Sequence, residues 1–137
     1  MRRISGSIAA LFLATGVMSC GGGGGDGGGI MNPPPPTCDA DTFCMGSQAF
    51  FTVPATQPVT LSVAANTPVT WDNNSGGIDH NVIFDDPSSA LAVGSGASGN
   101  IGESTSGSFQ RQFAVSGSVH PFHCTIHAGM NGTVKIL

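Results

Sequence analysis

The chain has 137 residues, and only 9% of them are charged, four Lys/Arg against eight Asp/Glu for a formal net charge of −4. Two of the four basic residues, Arg2 and Arg3, belong to the extreme N-terminus, so Arg111 and Lys135 are all that remain against eight acids beyond it. That balance argues against nucleic-acid binding and against charge-driven attachment to anionic lipid, both of which depend on clustered basic side chains.

The first segment reads as an export signal. Met1-Arg2-Arg3 is a short basic start, and Ile8–Ala14 is a brief apolar run, too short to span a bilayer as a permanent helix. It ends at Val17-Met18-Ser19-Cys20, which resembles a bacterial lipobox, with Cys20 as the lipidated first residue of the mature chain. The plainer alternative is an ordinary signal peptide cut nearby, leaving Cys20 a free thiol. Lipidation would hold the chain to a membrane through several acyl chains, where a single one gives marginal binding. Gly21 follows the Cys where an Asp would mark inner-membrane retention in some bacteria, which favours the outer membrane over the periplasmic face of the inner one. We therefore expect a signal peptide over 1–19 and a cell-envelope location.

Residues 20–37 are a glycine run followed by Pro33–Pro36, a flexible coil and then a semi-rigid spacer, without side chains that could build a core. They read as a tether. The remaining residues, 38–137, suit one small domain. Cys38 and Cys44 stand six apart at its start, and outside the cytoplasm a disulfide between them is expected, contributing about 2 kcal/mol by loop closure. A metal reading of that pair lacks a nearby His.

Short strands follow. Val59, Leu61 and Val63 alternate with Thr60 and Ser62, and Pro58 sits at the start, where a missing N–H is tolerated. Val69-Thr70-Trp71 opens a second strand after the Asn66–Pro68 turn; Asn73–Gly77 is a turn cluster before His80–Phe84. Residues 85–107 are rich in Gly, Ser and Ala, and we expect a long loop with at most a short helix around Ser89–Ala92. Phe109, Arg111 and Phe113 alternate with Gln110 and Gln112, and Val119–Cys124 and Thr133–Leu137 complete the series. No segment sustains a 3.6-residue apolar period. The pattern predicts an all-β chain, a sandwich or small barrel whose loops gather at its ends.

The chemistry concentrates in His123-Cys124-Thr125-Ile126-His127-Ala128-Gly129-Met130. Thiolate, imidazole and thioether together suit copper, whereas zinc makes little use of a thioether. A trigonal His2Cys set with a long axial Met needs a second imidazole, and His80, following a Gly-rich turn, supplies it. Strand alternation turns His123 to the face opposite Cys124, and His120 lies roughly 13 Å away along the strand. Cys124, His127, Met130 and His80 are left as the candidate ligands.

These residues resemble the cupredoxin family, in particular plastocyanins, pseudoazurins and amicyanins. The resemblance runs from about Phe50 to Leu137 and rests on Val59–Val63, Pro68–Asn73, Asp79–Phe84 and Phe122–Val134. It implies a Greek-key sandwich of about eight strands and one type 1 (blue) copper ion on His80, Cys124, His127 and Met130. The two residues between His127 and Met130 match the short ligand loop of amicyanins. The resemblance further implies that Asn81 ties the two ligand segments together and that His127 is the electron port. The expected activity is electron transfer to and from redox proteins, by a monomer and not by an enzyme, since four protein donors leave no open position for substrate. Copper nitrite reductases place a second copper ligand directly before the Cys, as His123 stands here, but where they carry a further His this chain has Asp85. Copper storage or delivery is the remaining alternative, although Met31 and Met45 form no Met-rich tract.

Overall fold

The computed structural model describes residues 38–137; the expected signal peptide, Cys20 and the tether fall outside the described residues. Nine strands form two sheets. β1 (Thr42–Met45), β2 (Phe50–Phe51), β4 (Val69–Asn73) and β7 (Gly107–Arg111) make one sheet in the order β2-β1-β4-β7. β3 (Thr60–Val63), β9 (Asn131–Ile136), β8 (Val119–His123), β5 (His80–Phe84) and β6 (Ile101–Ser104) make the other, in the order β3-β9-β8-β5-β6. β1 with β4 and β3 with β9 run parallel, and every other pair is antiparallel.

The side-chain period of two drives the layering. Along β4, Val69, Trp71 and Asn73 are buried while Thr70 and Asp72 are half-exposed. Trp71 carries the contact between the sheets. It stacks on Phe43 of its own sheet at 5.5 Å and meets Phe84 and Phe122 of the other edge-on, both at 5.4 Å. Fully burying side chains of this size is worth about 1.5–3 kcal/mol each, with somewhat more from the edge-to-face geometry.

The nine described strands fit the expected sandwich of about eight; Phe50–Phe51 pairs with Thr42–Met45, which in turn pairs with β4. Two other expectations need correction. Residues 85–107 are not simply a loop, since β6 lies within them and β7 begins at Gly107. The short helix is a 3-10 turn at Pro87–Ser89, ahead of Ser89–Ala92: Asp86 caps it by accepting from the Ser88 N–H, and Pro87 is pre-set for the first turn.

After that turn the chain crosses to the first sheet, where Leu91 exchanges backbone hydrogen bonds with Gln112, and returns through Gly99 to β6. At the chain's other early landmark, Cys38 and Cys44 are joined as a disulfide.

Register places the functional residues together. β5 begins at His80, Ile83 pairs with His123 on β8, and His123 pairs with Asn131 on β9. The start of β5, the end of β8 and the start of β9 therefore share one end of the sandwich. Asn73 fixes the turn that leads into it: its Nδ2 donates to the carbonyls of Ile78 (3.1 Å) and Ser104 (2.6 Å), and its Oδ1 accepts from Ser75.

Candidate metal centre

His80 is the first residue of β5 and is wholly buried, which a lone histidine tolerates only with partners. Its Nδ1 faces the Cys124 Sγ at 4.0 Å, and the Nδ1 of His127 faces the same sulfur at 3.8 Å. Those separations are too long for useful hydrogen bonds. They suit two ligands of one ion: bonds of roughly 2.0 Å to nitrogen and 2.3 Å to sulfur, splayed at about 120°, leave N and S roughly 3.7 Å apart. All three donor atoms lie within 4.8 Å of one another, and the imidazole rings are 4.7 Å apart between centroids. Among the described residues this is the one group of three or more His, Cys, Asp or Glu so disposed.

Burial pushes the His80 pKa below its usual value, and the neighbouring His127 adds to the effect; the Gly46 backbone and Asp79 pull weakly the other way. The ring is thus held neutral, as a metal ligand must be. Its Nε2 completes no hydrogen bond, and Gly46 is the backbone group facing the ring. Gly46 follows β1 and closes a tight turn with Ala49 (N–H to O, 2.8 Å). Sequence reading assigned no role to this turn, and nothing in Gly46-Ser47-Gln48 signals one.

The other three ligand candidates lie on the turn between β8 and β9. Cys124 N–H donates to the Met130 carbonyl at 2.9 Å, and Met130 N–H to the His127 carbonyl at 3.2 Å. The loop is a closed unit whose own backbone bonds hold Cys124, His127 and Met130 in fixed relation. Gly129 takes a φ of +81°, the left-handed region that glycine reaches without strain, to turn the chain into Met130. Met130 and Cys124 are buried, His127 is half-buried, and Ile126 is 40% exposed beside it.

Asn81 joins the two halves. Its Nδ2 donates to Thr125 Oγ1 at 2.7 Å and its Oδ1 accepts from the Thr125 N–H at 2.9 Å, a reciprocal pair between β5 and the ligand loop. Thr125 is the partner that sequence reading left unnamed; a hydroxyl directly after the Cys was the available signal. Neither remaining histidine joins the cluster. His120 stacks on Phe113 at 4.3 Å and bonds Ser89 and Ser118, and His123 faces Asp85 at 3.9 Å on the surface.

Comparison with solved structures settles what the architecture is. A purple cupredoxin from Nitrosopumilus maritimus matches with a TM-score of 0.50 and 19% identity, over 72% of this chain and 100% of that one. An amicyanin variant in its reduced Cu(I) form at pH 4 matches with a TM-score of 0.52 and 23% identity, over 74% and 87%. This is the cupredoxin fold. A second amicyanin variant with Cu(I) gives the same TM-score at 22% identity. No family model and no curated protein matches the sequence. On the cupredoxin frame the cluster stands where two strand–loop junctions meet. Its two imidazoles, one thiolate and an adjoining thioether residue form a donor set that fits one copper ion.

Proposed function

We propose that the chain is an electron carrier of the cell envelope, using one type 1 copper ion held by His80, Cys124, His127 and Met130. The observation that carries this reading is the convergence of two Nδ1 atoms on one buried cysteine sulfur, 4.0 and 3.8 Å away. Copper bound there would supply one-electron chemistry between Cu(I) and Cu(II).

The residues supply the rest. β5 fixes His80, the backbone bonds of the 124–130 loop fix the other three, and the Asn81–Thr125 pair keeps the halves in register. A geometry held by protein in this way changes little between charge states, which keeps reorganisation small. With four protein donors no position is left for a substrate, so we read the chain as a carrier and not an enzyme. His127 is the half-exposed ligand and hence the proposed electron port. Ile126, Ala128 and Gly129 around it are exposed and offer a small apolar rim suited to brief docking with a redox protein. The acidic balance of the chain would favour basic partners and make their association salt-sensitive. The lipobox-like Cys20 supports a lipid anchor, and the 20–37 tether would hold the domain clear of the membrane.

Copper addition should produce an intense visible absorption from Cys124 thiolate charge transfer, bleached reversibly by reductant. A colourless Cu(II) complex, or one unchanged in Cys124→Ser, overturns the assignment. Mass spectrometry of the mature N-terminus tests the anchor: an unmodified Cys20 defeats it. Rapid electron exchange with envelope redox proteins separates a carrier from a copper store, which would instead hand over the metal.

A further inference from the structure

Arg111 is one of two basic residues beyond Arg3, yet it is 4% exposed. It pairs with buried Val69 and shares the inner face of β7 with Phe109. Its Nε donates to the Gly99 carbonyl at 2.7 Å, Nη1 to the Gln110 carbonyl at 2.7 Å and Nη2 to the Asn100 carbonyl at 2.9 Å. These bonds use three of a guanidinium's five N–H groups. Among the described residues no carboxylate lies within ion-pair distance of it. Burial draws its pKa below the usual value, but arginine keeps its charge in proteins. A buried cation faced only by neutral carbonyls has lost hydration without gaining a counter-charge, the costly case.

The strand edge beside it is open. Thr70 donates its N–H to the Asp41 carbonyl, away from β7. Since antiparallel pairs alternate between bonded and non-bonded, Thr70 and Gln110 exchange no ladder bonds, and the Gln110 N–H and C=O face outward from β4. The bond from Arg111 Nη1 to that carbonyl has the same sense. Further along the edge, Gln112 is closed by Leu91. At Gln110 the edge opens onto a cavity of about 590 Å³ whose walls include Val93, Asn100, Ile101, Phe109 and Arg111.

We propose that this cleft binds a small organic carboxylate. Its oxygens are taken by the remaining Arg111 N–H groups and the Gln110 backbone N–H, in the charge-assisted manner guanidinium favours. Val93, Ile101 and Phe109 pack its apolar tail. The site lies apart from the ligand cluster and does not depend on the copper reading.

The test is NMR of the ¹⁵N-labelled full chain, titrated at constant ionic strength with butyrate and, separately, with neutral butyramide. Butyrate should give saturable shifts of the Gln110 amide and the Arg111 Nε–H at millimolar concentration, and butyramide should not. Arg111→Gln should weaken butyrate by roughly tenfold or more. Because Arg111 also holds the Gly99–Asn100 turn, the butyrate–butyramide contrast on the unaltered chain decides the matter if that variant does not fold. Equal response to both probes, or no saturable shift up to roughly 100 mM butyrate, overturns the proposal.

Discussion

The two halves of the ligand cluster are built by different means. His80 and Asn81 open β5, which lies between β6 and β8 inside a sheet: His80 pairs with Ser104 of β6, Ile83 and Phe84 pair with β8, and the imidazole is wholly buried. Cys124, His127 and Met130 sit on a turn that holds itself together with two backbone bonds and leaves His127 half-exposed. The strand half supplies rigidity and the loop half supplies access. On the proposed electron-carrier reading, an electron would enter a buried centre without water following it, so one ligand would serve as both wall and doorway. The Asn81–Thr125 pair is what lets a strand and a turn behave as one site.

Removing each imidazole tests this contrast most severely. Both His80→Gly and His127→Gly should abolish the visible band of the copper-loaded protein. Added imidazole should restore a coloured complex in His127→Gly, whose vacated place reaches the surface, and not in His80→Gly, whose place is sealed. Equal rescue of the two, read by absorption, would erase the distinction between wall and doorway.

A smaller effect should follow from filling the space at Gly132, opposite Phe122 on β8. A Cβ there would stand 2.9 Å from Phe122 Cε2, inside the ring's contact distance. Gly132→Ala should cost about 1–3 kcal/mol, seen as a lower denaturation midpoint, because an over-packed core must shift backbone or ring. Phe122 also touches Phe43, Phe50, Trp71 and Phe84, so the ring has little freedom to give way.

Asn81→Ala removes two hydrogen bonds and strands the Thr125 N–H, at about 1–3 kcal/mol. Here location matters more than size: amide exchange at Thr125 and Cys124 should quicken while that of Val82 and Phe84 stays slow. Uniform acceleration would mean the loop half has no independent mobility.

The smallest effect concerns pH. Burial lowers the His120 pKa, with the Asp86 carboxylate opposing it. The unfolded chain therefore takes up a proton first as pH falls, and this contribution to stability is complete above roughly pH 6.5 and declines below it. His120→Gln should flatten the acid side of a stability–pH curve measured by denaturant, leaving the similar contribution of His80 in place.

The ligand set was legible because three of its members lie within seven residues and the fourth follows a recognisable turn. Strands with one buried face were legible too, β4 above all. β1 was not: Thr42, Phe43, Cys44 and Met45 are all buried, so no alternation survives. The core takes Phe43 and Met45, and Cys44 is covered through its bond to Cys38. β6 reads Ile-Gly-Glu-Ser, with one buried residue, and is a strand because β5 offers it an edge. Arg111 was read as an ordinary member of an alternating strand, and its burial under Gly99 and Asn100 depends on a crossing segment whose path the sequence does not announce. Tertiary pairing decided these cases, where local pattern had nothing to say.

The parallel pairing of β3 with β9 sets the order of assembly. Thr60 aligns with Thr133, and β9 lies between β3 and β8, inside its sheet. A sheet that needs β9 between β3 and β8 cannot close until residues 131–136 are available, and such long-range pairings make folding slow. The 124–130 loop leads directly into that strand, so His80 waits, unmatched, until β9 has docked. Any ion taken up by the cluster would thereby be enclosed only after β5, β8 and β9 have paired.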